Sequence, residues 1–290
     1  MIVFTTPSDM QAWALARRAG GRTLGLVPTM GFLHDGHLSL VDKARGLADL
    51  VAVSIFVNPV QFGPNEDFDR YPRDLDRDLA LCEARGVDAV FAPRPSDMYA
   101  PDHSVYIDEE RLGSVLCGAR RPGHFRGVCT VVDKLFNIFQ PTVAVFGQKD
   151  AQQAAVLRRM VRDLNIPVTI VEAPIVREAD GLALSSRNTY LTPDFRRRAL
   201  GLPRSLRRAR ALFDAGERSP AALYAEIEAI LSAGCGLRVD YVTASDPDTL
   251  EPETTLKTGS LLALAAYAGD VRLIDNTRLG LPDASLDVPD

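Results

Sequence analysis

Through the first 175 residues, short apolar runs alternate with amphipathic stretches, the pattern of strands separated by helices. Thr6-Pro7 offers a helix N-cap followed by proline at the first helical position, and the helical pattern from Ser8 to Ala19 halts at Gly20-Gly21. Thr23 to Val27 predicts a buried strand, Pro28 to Gly36 a loop, and His37 to Ala48 a helix. Leu50 to Val57 predicts the next strand, stopped at Asn58-Pro59. Leu75 to Arg85 is helical, Ala89 to Ala92 a short strand, and Val128 to Phe139 a helix stopped before Pro141. Val143 to Phe146, Ala151 to Leu164 and Val168 to Val176 continue as strand, helix and strand. The alternation predicts an α/β fold with a parallel, doubly wound sheet, where ligands sit beyond the carboxyl ends of strands.

After Val176 the pattern changes, which predicts a sheet domain over 1–175 and a smaller α+β domain over 176–290. Thr192-Pro193 opens a helix whose Phe195, Ala199, Leu202, Leu206, Ala209 and Phe213 form one apolar stripe, with a kink or split expected at Pro203. The arginines between Arg196 and Arg210 are expected on its solvated face. Arg238 to Thr243 and Leu261 to Ala266 alternate like antiparallel strands, and Ala268-Gly269-Asp270 predicts a hairpin turn into Val271 to Ile274. The tail from Leu279, rich in proline and aspartate, is expected to fray.

Composition narrows the class. With 46% apolar and 24% charged residues the chain is neither disordered nor fibrous. No apolar run approaches the ~20 residues of a membrane helix, and MIVFTTPSDM lacks a basic segment followed by an apolar one. A cytoplasmic protein without membrane partners is expected. A net charge of −5 speaks against a nucleic-acid binder. Cys82, Cys117, Cys129 and Cys235 stand far apart, so buried free thiols are expected. Of 33 basic residues only Lys43, Lys134, Lys149 and Lys257 are lysines.

Four features carry chemistry. The sharpest, Pro28-Thr29-Met30-Gly31-Phe32-Leu33-His34-Asp35-Gly36-His37, joins a buried strand to a helix. Backbone N–H groups at a helix N-terminus favour an anion, and imidazoles there stabilise charge developing on phosphorus. The plainer alternative is a pair of capping histidines, whereas zinc is opposed by the spacing and by the lack of a third ligand nearby. Gly147-Gln148-Lys149-Asp150 ends a strand and offers a compact positive charge to phosphate, or a solvated turn lysine. Leu184-Ser185-Ser186-Arg187-Asn188 sets two hydroxyls beside a guanidinium, suited to polyphosphate or to capping a helix. The amides of Asn58, Gln61, Gln152 and Gln153 suit the hydroxyls and carboxylate of a small polar substrate, and are equally ordinary surface groups.

Taken in order, PTMGFLHDGH, IFVNPVQFG, RPGHFRGV, FGQKDAQQ and LSSRN resemble the pantothenate synthetase (pantoate–β-alanine ligase) family, over about Thr23 to Leu191. The first and last are similar to the HIGH and KMSKS-type motifs of the wider nucleotidylyltransferase superfamily. The resemblance implies a Rossmann-like domain, a smaller C-terminal domain that closes over the site, a homodimer, and ATP and Mg²⁺ as substrate and cofactor. It implies that pantoate is adenylated by ATP and that β-alanine then displaces AMP. ATP would meet Met30, Gly31, Phe32, Leu33, His34, Asp35, Gly36 and His37, then Gly147, Gln148, Lys149 and Asp150, then Val176, Leu184, Ser185, Ser186 and Arg187. By the same resemblance His34 and His37 stabilise the α-phosphate, with His37 as proton donor. Lys149 neutralises phosphate charge, Asp150 lies towards the ribose, and Ser185, Ser186 and Arg187 hold the leaving pyrophosphate. Gln61 and Gln153 bracket the pantoate hydroxyls, Gln61 and Asn58 lie towards β-alanine, the Val176 backbone meets adenine, and Arg121 reaches to the pantoate side. Arg77 falls in a region where relatives tend to carry more acid, and neither Asp76 nor Asp78 is assigned to Mg²⁺. The alternatives are an adenylate-forming enzyme for another small acid, a nucleotide-binding module without turnover, and an RNA-directed synthetase, the last opposed by the net charge.

Overall fold

A computed structural model describes residues 1–64 and 66–286 and divides the chain into two compact units. The first comprises Met1–Gly147 and Gln152–Ala173. Its elements are β1 (Ile2–Phe4), α1 (Pro7–Ala19), β2 (Leu24–Thr29), α2 (Asp35–Arg45), β3 (Leu50–Ile55), α3 (Leu75–Ala84), β4 (Ala89–Phe91), α4 (Pro95–Met98), α5 (Leu116–Arg120), α6 (His124–Phe139), β5 (Val143–Gly147), α7 (Ala151–Asp163) and β6 (Thr169–Ala173). The strands form one parallel sheet in the order β1-β4-β3-β2-β5-β6. The chain runs outward from β2 through β3 to β4, then returns to add β5 on the other side of β2. That reversal puts the topological switch point between β2 and β5, where doubly wound sheets bind ligands.

Helix boundaries follow from local chemistry. The Thr6 side chain accepts from Asp9 N and Pro7 opens α1, as the sequence predicts. α6 starts a turn earlier than its apolar pattern, because Gly123 at φ +79° turns the chain into it. This helix is buried almost all round, and each apolar side chain it buries stabilises the unit by about 1.5–3 kcal/mol. β1 has no counterpart in the sequence pattern; it is three residues long, with Ile2 and Val3 exposed.

The second unit comprises Gln148–Ala151 and the chain from Pro174 onward. The single boundary expected at 175/176 is thus replaced by a division in which four residues of the lysine turn belong with the C-terminal part. Its elements are α8 (Pro193–Ala199), α9 (Gly201–Asp214), α10 (Pro220–Glu228), β7 (Arg238–Ser245), β8 (Leu261–Ala268) and β9 (Val271–Arg278), with the strands antiparallel in the order β7-β8-β9. The apolar stripe Ala199, Leu202, Leu206, Ala209 and Phe213 is buried against Leu262, Leu264 and Ala266 of β8.

Three features of the second unit depart from the sequence pattern. The helical break falls at Leu200, not at Pro203, because Pro203 lies in the first turn of α9, where its missing N–H costs no hydrogen bond. The arginines of this region are not simply solvated: Arg196 forks onto Glu178 and Asp180, and Arg210 donates to Thr277 Oγ1 and to the carbonyls of Arg278 and Leu281. The tail does not fray at Leu279, since Leu279 and Leu286 are buried in the core of this unit and Leu279 N bonds to Ser260 O. The last four residues of that tail, 287–290, lie outside the described residues.

Candidate active site

β2 extends to Thr29, and Met30 and Gly31 carry the chain into a loop where Gly31 (φ +81°) and Phe32 (φ +49°) both take left-handed conformations. Two consecutive N–H groups then converge on one acceptor: Phe32 N donates to Asp78 Oδ2 and Leu33 N to Asp78 Oδ1, each at 2.7 Å. Asp78, on α3, is 1% exposed. Successive N–H groups in this geometry make an anion nest, and here the protein's own carboxylate fills it. A Cβ on Gly31 would lie 2.9 Å from Ile55 Cγ2 and 3.0 Å from Asp78 Oδ2, so glycine is required sterically as well.

The nested loop delivers His34 as the N-cap of α2 and His37 in its first turn, with Asp35 and Gly36 between them. Helix α2 therefore starts two residues before the predicted His37. The imidazole rings stack, with centroids 4.0 Å apart, and His37 Nδ1 accepts from His34 N at 3.3 Å. A ring nitrogen that accepts is unprotonated, so neutral His37 carries its proton on Nε2. The arrangement is a helix N-terminus with a positioned N–H donor beside it.

At the carboxyl end of β3, Asn58 caps the short turn Pro59–Gln61. Asn58 is 1% exposed and its amide is fully engaged: Oδ1 accepts from Tyr99 OH (2.8 Å) and Val60 N (3.4 Å), while Nδ2 donates to Gly127 O (3.1 Å) and Gln61 Oε1 (3.0 Å). The backbone partners decide which end of Asn58 is nitrogen, and Asn58 in turn decides which end of Gln61 is oxygen. Gln61 consequently presents its N–H groups away from Asn58, with only Met30 Sδ, at 3.2 Å, as their partner among the described residues. Gly127 permits this, since a Cβ there would meet Gln61 Cα and Val60 O at 2.6 Å. Arg121, expected to reach towards a ligand, instead forms a paired contact with Glu66 (2.6 and 2.7 Å) and lies 2.9 Å from His124 Nε2. The Glu66 carboxyl is pushed up by burial, but the hydrogen bonds and charge of Arg121 outweigh this and hold it below its ordinary value.

The neighbouring glutamines of α7 have separate functions. Gln152 is buried, accepts from Cys117 N and donates to Leu112 O and Val115 O, so it pins the 112–117 loop. Gln153 is half-buried, and its amide makes no hydrogen bond among the described residues.

In the second unit, Gln148–Asp150 form one helical turn in which Lys149 is half-buried. A second arm is built on Val176: Leu184 N donates to Val176 O at 3.0 Å, Glu178 N to Leu182 O at 2.8 Å, and Arg177 bridges Ala183. It delivers Ser185, whose side chain caps the turn Ser186–Tyr190 by accepting from Arg187 N. Asn188 locks that turn by donating to Glu178 Oε1 (2.6 Å) and Ala183 O (3.0 Å).

The sequence motifs thus form two groups, His34, His37, Asn58, Gln61 and Gln153 in the first unit and Lys149, Asp150, Ser185, Ser186 and Arg187 in the second. Sequence reasoning missed Asp78 and Tyr99 as their supports. The readable sign for Asp78 is an acid four residues before Cys82 on the buried face of α3. Among the described residues no group of three or more His, Cys, Asp or Glu side chains is placed to hold a metal ion.

A doubly wound parallel sheet with a His-x-Gly-His helix N-terminus after its central strand β2 defines an α/β protein of the Rossmann-like class. The particular family follows from comparison: the chain belongs to the pantoate-beta-alanine ligase family, whose model matches residues 2–278. It is 56% identical over 283 residues to the pantothenate synthetase of Moorella thermoacetica, covering 98% of this chain and all of that protein. A crystal structure of pantothenate synthetase from Thermus thermophilus superposes with a TM-score of 0.91 at 46% identity, covering 96% of this chain and 99% of that one. A pantoate-beta-alanine ligase from Francisella tularensis, complexed with beta-gamma ATP and beta-alanine, superposes with a TM-score of 0.77 at 32% identity, covering 98% of this chain and all of that one.

Proposed function

We propose that this chain joins pantoate to β-alanine at the expense of ATP. A pantoate carboxylate oxygen attacks the α-phosphorus of ATP, the bond to the bridging oxygen breaks, and pyrophosphate leaves. The amine of β-alanine then attacks the acyl carbon of pantoyl adenylate, AMP departs with the bonding electron pair, and the amine loses its proton. The observation that carries this proposal is the stacked His34–His37 pair at the N-terminus of α2, where backbone N–H groups and imidazoles together favour the charge that builds on a phosphate oxygen. The Francisella relative, complexed with beta-gamma ATP and beta-alanine, supports it.

In this proposal Met30 to His37 meet the nucleotide, Gln61 offers N–H donors to pantoate and β-alanine oxygens, and Gln153 offers an uncommitted amide to the pantoate hydroxyls. Asn58 acts through Gln61, because its own amide is fully engaged. Lys149 neutralises phosphate charge, Asp150 faces the ribose, and Ser185, Ser186 and Arg187 hold pyrophosphate. Asp78 is committed to the backbone N–H groups of Phe32 and Leu33 and is not assigned to Mg²⁺. Mg²⁺ would arrive on the ATP phosphates, screening their charge. The proposal extends to a homodimer in the cytoplasm, checked by sedimentation and cell fractionation.

Isotope exchange between pyrophosphate and ATP should require pantoate and proceed without β-alanine, and adding β-alanine should release AMP, not ADP. Exchange supported by other small acids but not by pantoate overturns the proposal. His37→Ala should lose about 10²–10⁴-fold in exchange rate.

A further inference from the structure

Asp275 and Asn276 of β9 belong to none of the motifs above, yet both are polar, 2% exposed and inside a strand, where Asp and Asn are depleted. Asn276 Nδ2 donates to the carbonyls of Gln148 (2.9 Å) and Lys149 (3.0 Å). A backbone N–H supplies one donor, whereas a side-chain amide supplies two, so Asn276 satisfies both carbonyls of the lysine turn at once. Asp275 receives a paired contact from Arg177, at 2.6 and 2.9 Å, and accepts from Asn276 N at 2.8 Å. Both partners of that ion pair are nearly inaccessible, with side chains 3% and 1% exposed. A pair of this kind adds little net stability, and its best use is to fix register. Arg177 lies in the arm that carries Leu184 to Arg187, and β9 packs against both the 148–150 turn and the 186–190 turn. The base of Lys149 is therefore clamped, while its ammonium group makes no hydrogen bond or ion pair among the described residues.

We propose that Asp275-Asn276 is a positioning pair, which sets the backbone of Lys149 and the Ser185–Arg187 arm in one frame so that both face the same polyphosphate. The inference rests on the reading that Lys149 neutralises phosphate. Neither residue touches ligand; each acts through a loop.

The test uses the full chain in the pyrophosphate exchange assay, with Asn276→Ala, Lys149→Ala and the double variant. Asn276→Ala should lower kcat/KM for ATP about 10- to 100-fold, the scale of a misplacement of ~1 Å, with KM for pantoate within about twofold of wild type. On the Lys149→Ala background the same change should add less than about threefold, because residues acting as one unit are non-additive. If Asn276→Ala fails to fold, Asn276→Asp keeps the volume and replaces both donors with oxygen, and should show the same loss confined to ATP. Equal losses for ATP and pantoate, or full additivity with Lys149→Ala, overturn the pair as a positioning device. So does an unchanged Asn276→Ala enzyme when Lys149→Ala is impaired, an outcome that leaves the role of Lys149 standing. A Lys149→Ala enzyme with wild-type kcat/KM removes that role itself, and the pair with it.

Discussion

Asp78 is the support on which the histidine loop depends, and removing its carboxylate is the most direct perturbation of that loop. Two N–H groups, Phe32 N and Leu33 N, each donate to it at 2.7 Å. Charge-assisted bonds of this kind contribute about 1.5–3 kcal/mol each. Against them stands burial of the charge, which raises the Asp78 carboxyl above its ordinary value; the two backbone bonds and Arg77 pull it down incompletely. With that offset, Asp78→Ala should destabilise the first unit by about 2–4 kcal/mol. For a unit of this size that lowers its melting transition by about 4–16 °C. Phe32, at φ +49°, then loses the contact that offsets a left-handed conformation costing about 1–2 kcal/mol, so the loop relaxes. His34 and His37 move with it, and pyrophosphate exchange should fall at least about tenfold at saturating ATP. Calorimetry and the exchange assay on the same preparation check both halves. An Asp78→Ala protein with an unshifted transition and wild-type exchange refutes the claim that the carboxylate holds the loop.

Other outcomes follow from the same geometry. Gly127→Ala forces a Cβ to within 2.6 Å of Gln61 Cα and Val60 O, backbone atoms that cannot step aside. It should cost about 1–3 kcal/mol or more in urea unfolding and raise KM for pantoate. Asn58→Asp keeps the side-chain shape but turns an acceptor towards Gln61 Oε1 and Gly127 O, so the Gln61 amide should flip. KM for pantoate should then rise about tenfold while KM for ATP holds, and an unchanged pantoate KM would count against the polarity argument. The folded-state pKa of Glu66 lies below its ordinary value of 4.5, so the stabilisation from Arg121 is present above that value and is lost as pH falls through the depressed one. Urea unfolding across that range should show a loss that Arg121→Met abolishes.

The sequence was most legible where structure is local. Thr6 caps α1, Gln140 and Pro141 end α6, and the apolar stripe of α8 and α9 is buried, all from interactions within a few residues. The same holds for the motif residues His34, His37, Lys149 and Ser185, which sit at element ends where the alternation of strands and helices puts them. What escaped is non-local. Asp78 meets Phe32 across 46 residues and Asn276 meets Gln148 across 128, and no window of neighbouring residues contains both partners. Leu279 and Leu286 look like a polar, proline-bearing tail until the core that buries them is assembled. Arg196 reads as surface because Glu178 and Asp180 are folded over it from another segment.

The excursion of Gln148–Ala151 into the second unit has a consequence for synthesis. A chain made from its N-terminus completes β5 and α7 long before β9 emerges. Until Asn276 arrives, the carbonyls of Gln148 and Lys149 lack the amide that finally binds them. The lysine turn is thus among the last parts of the molecule to be set, although it lies near the middle of the chain. Truncation before residue 276 would keep every strand of the parallel sheet in the chain and remove the amide that clamps the lysine turn.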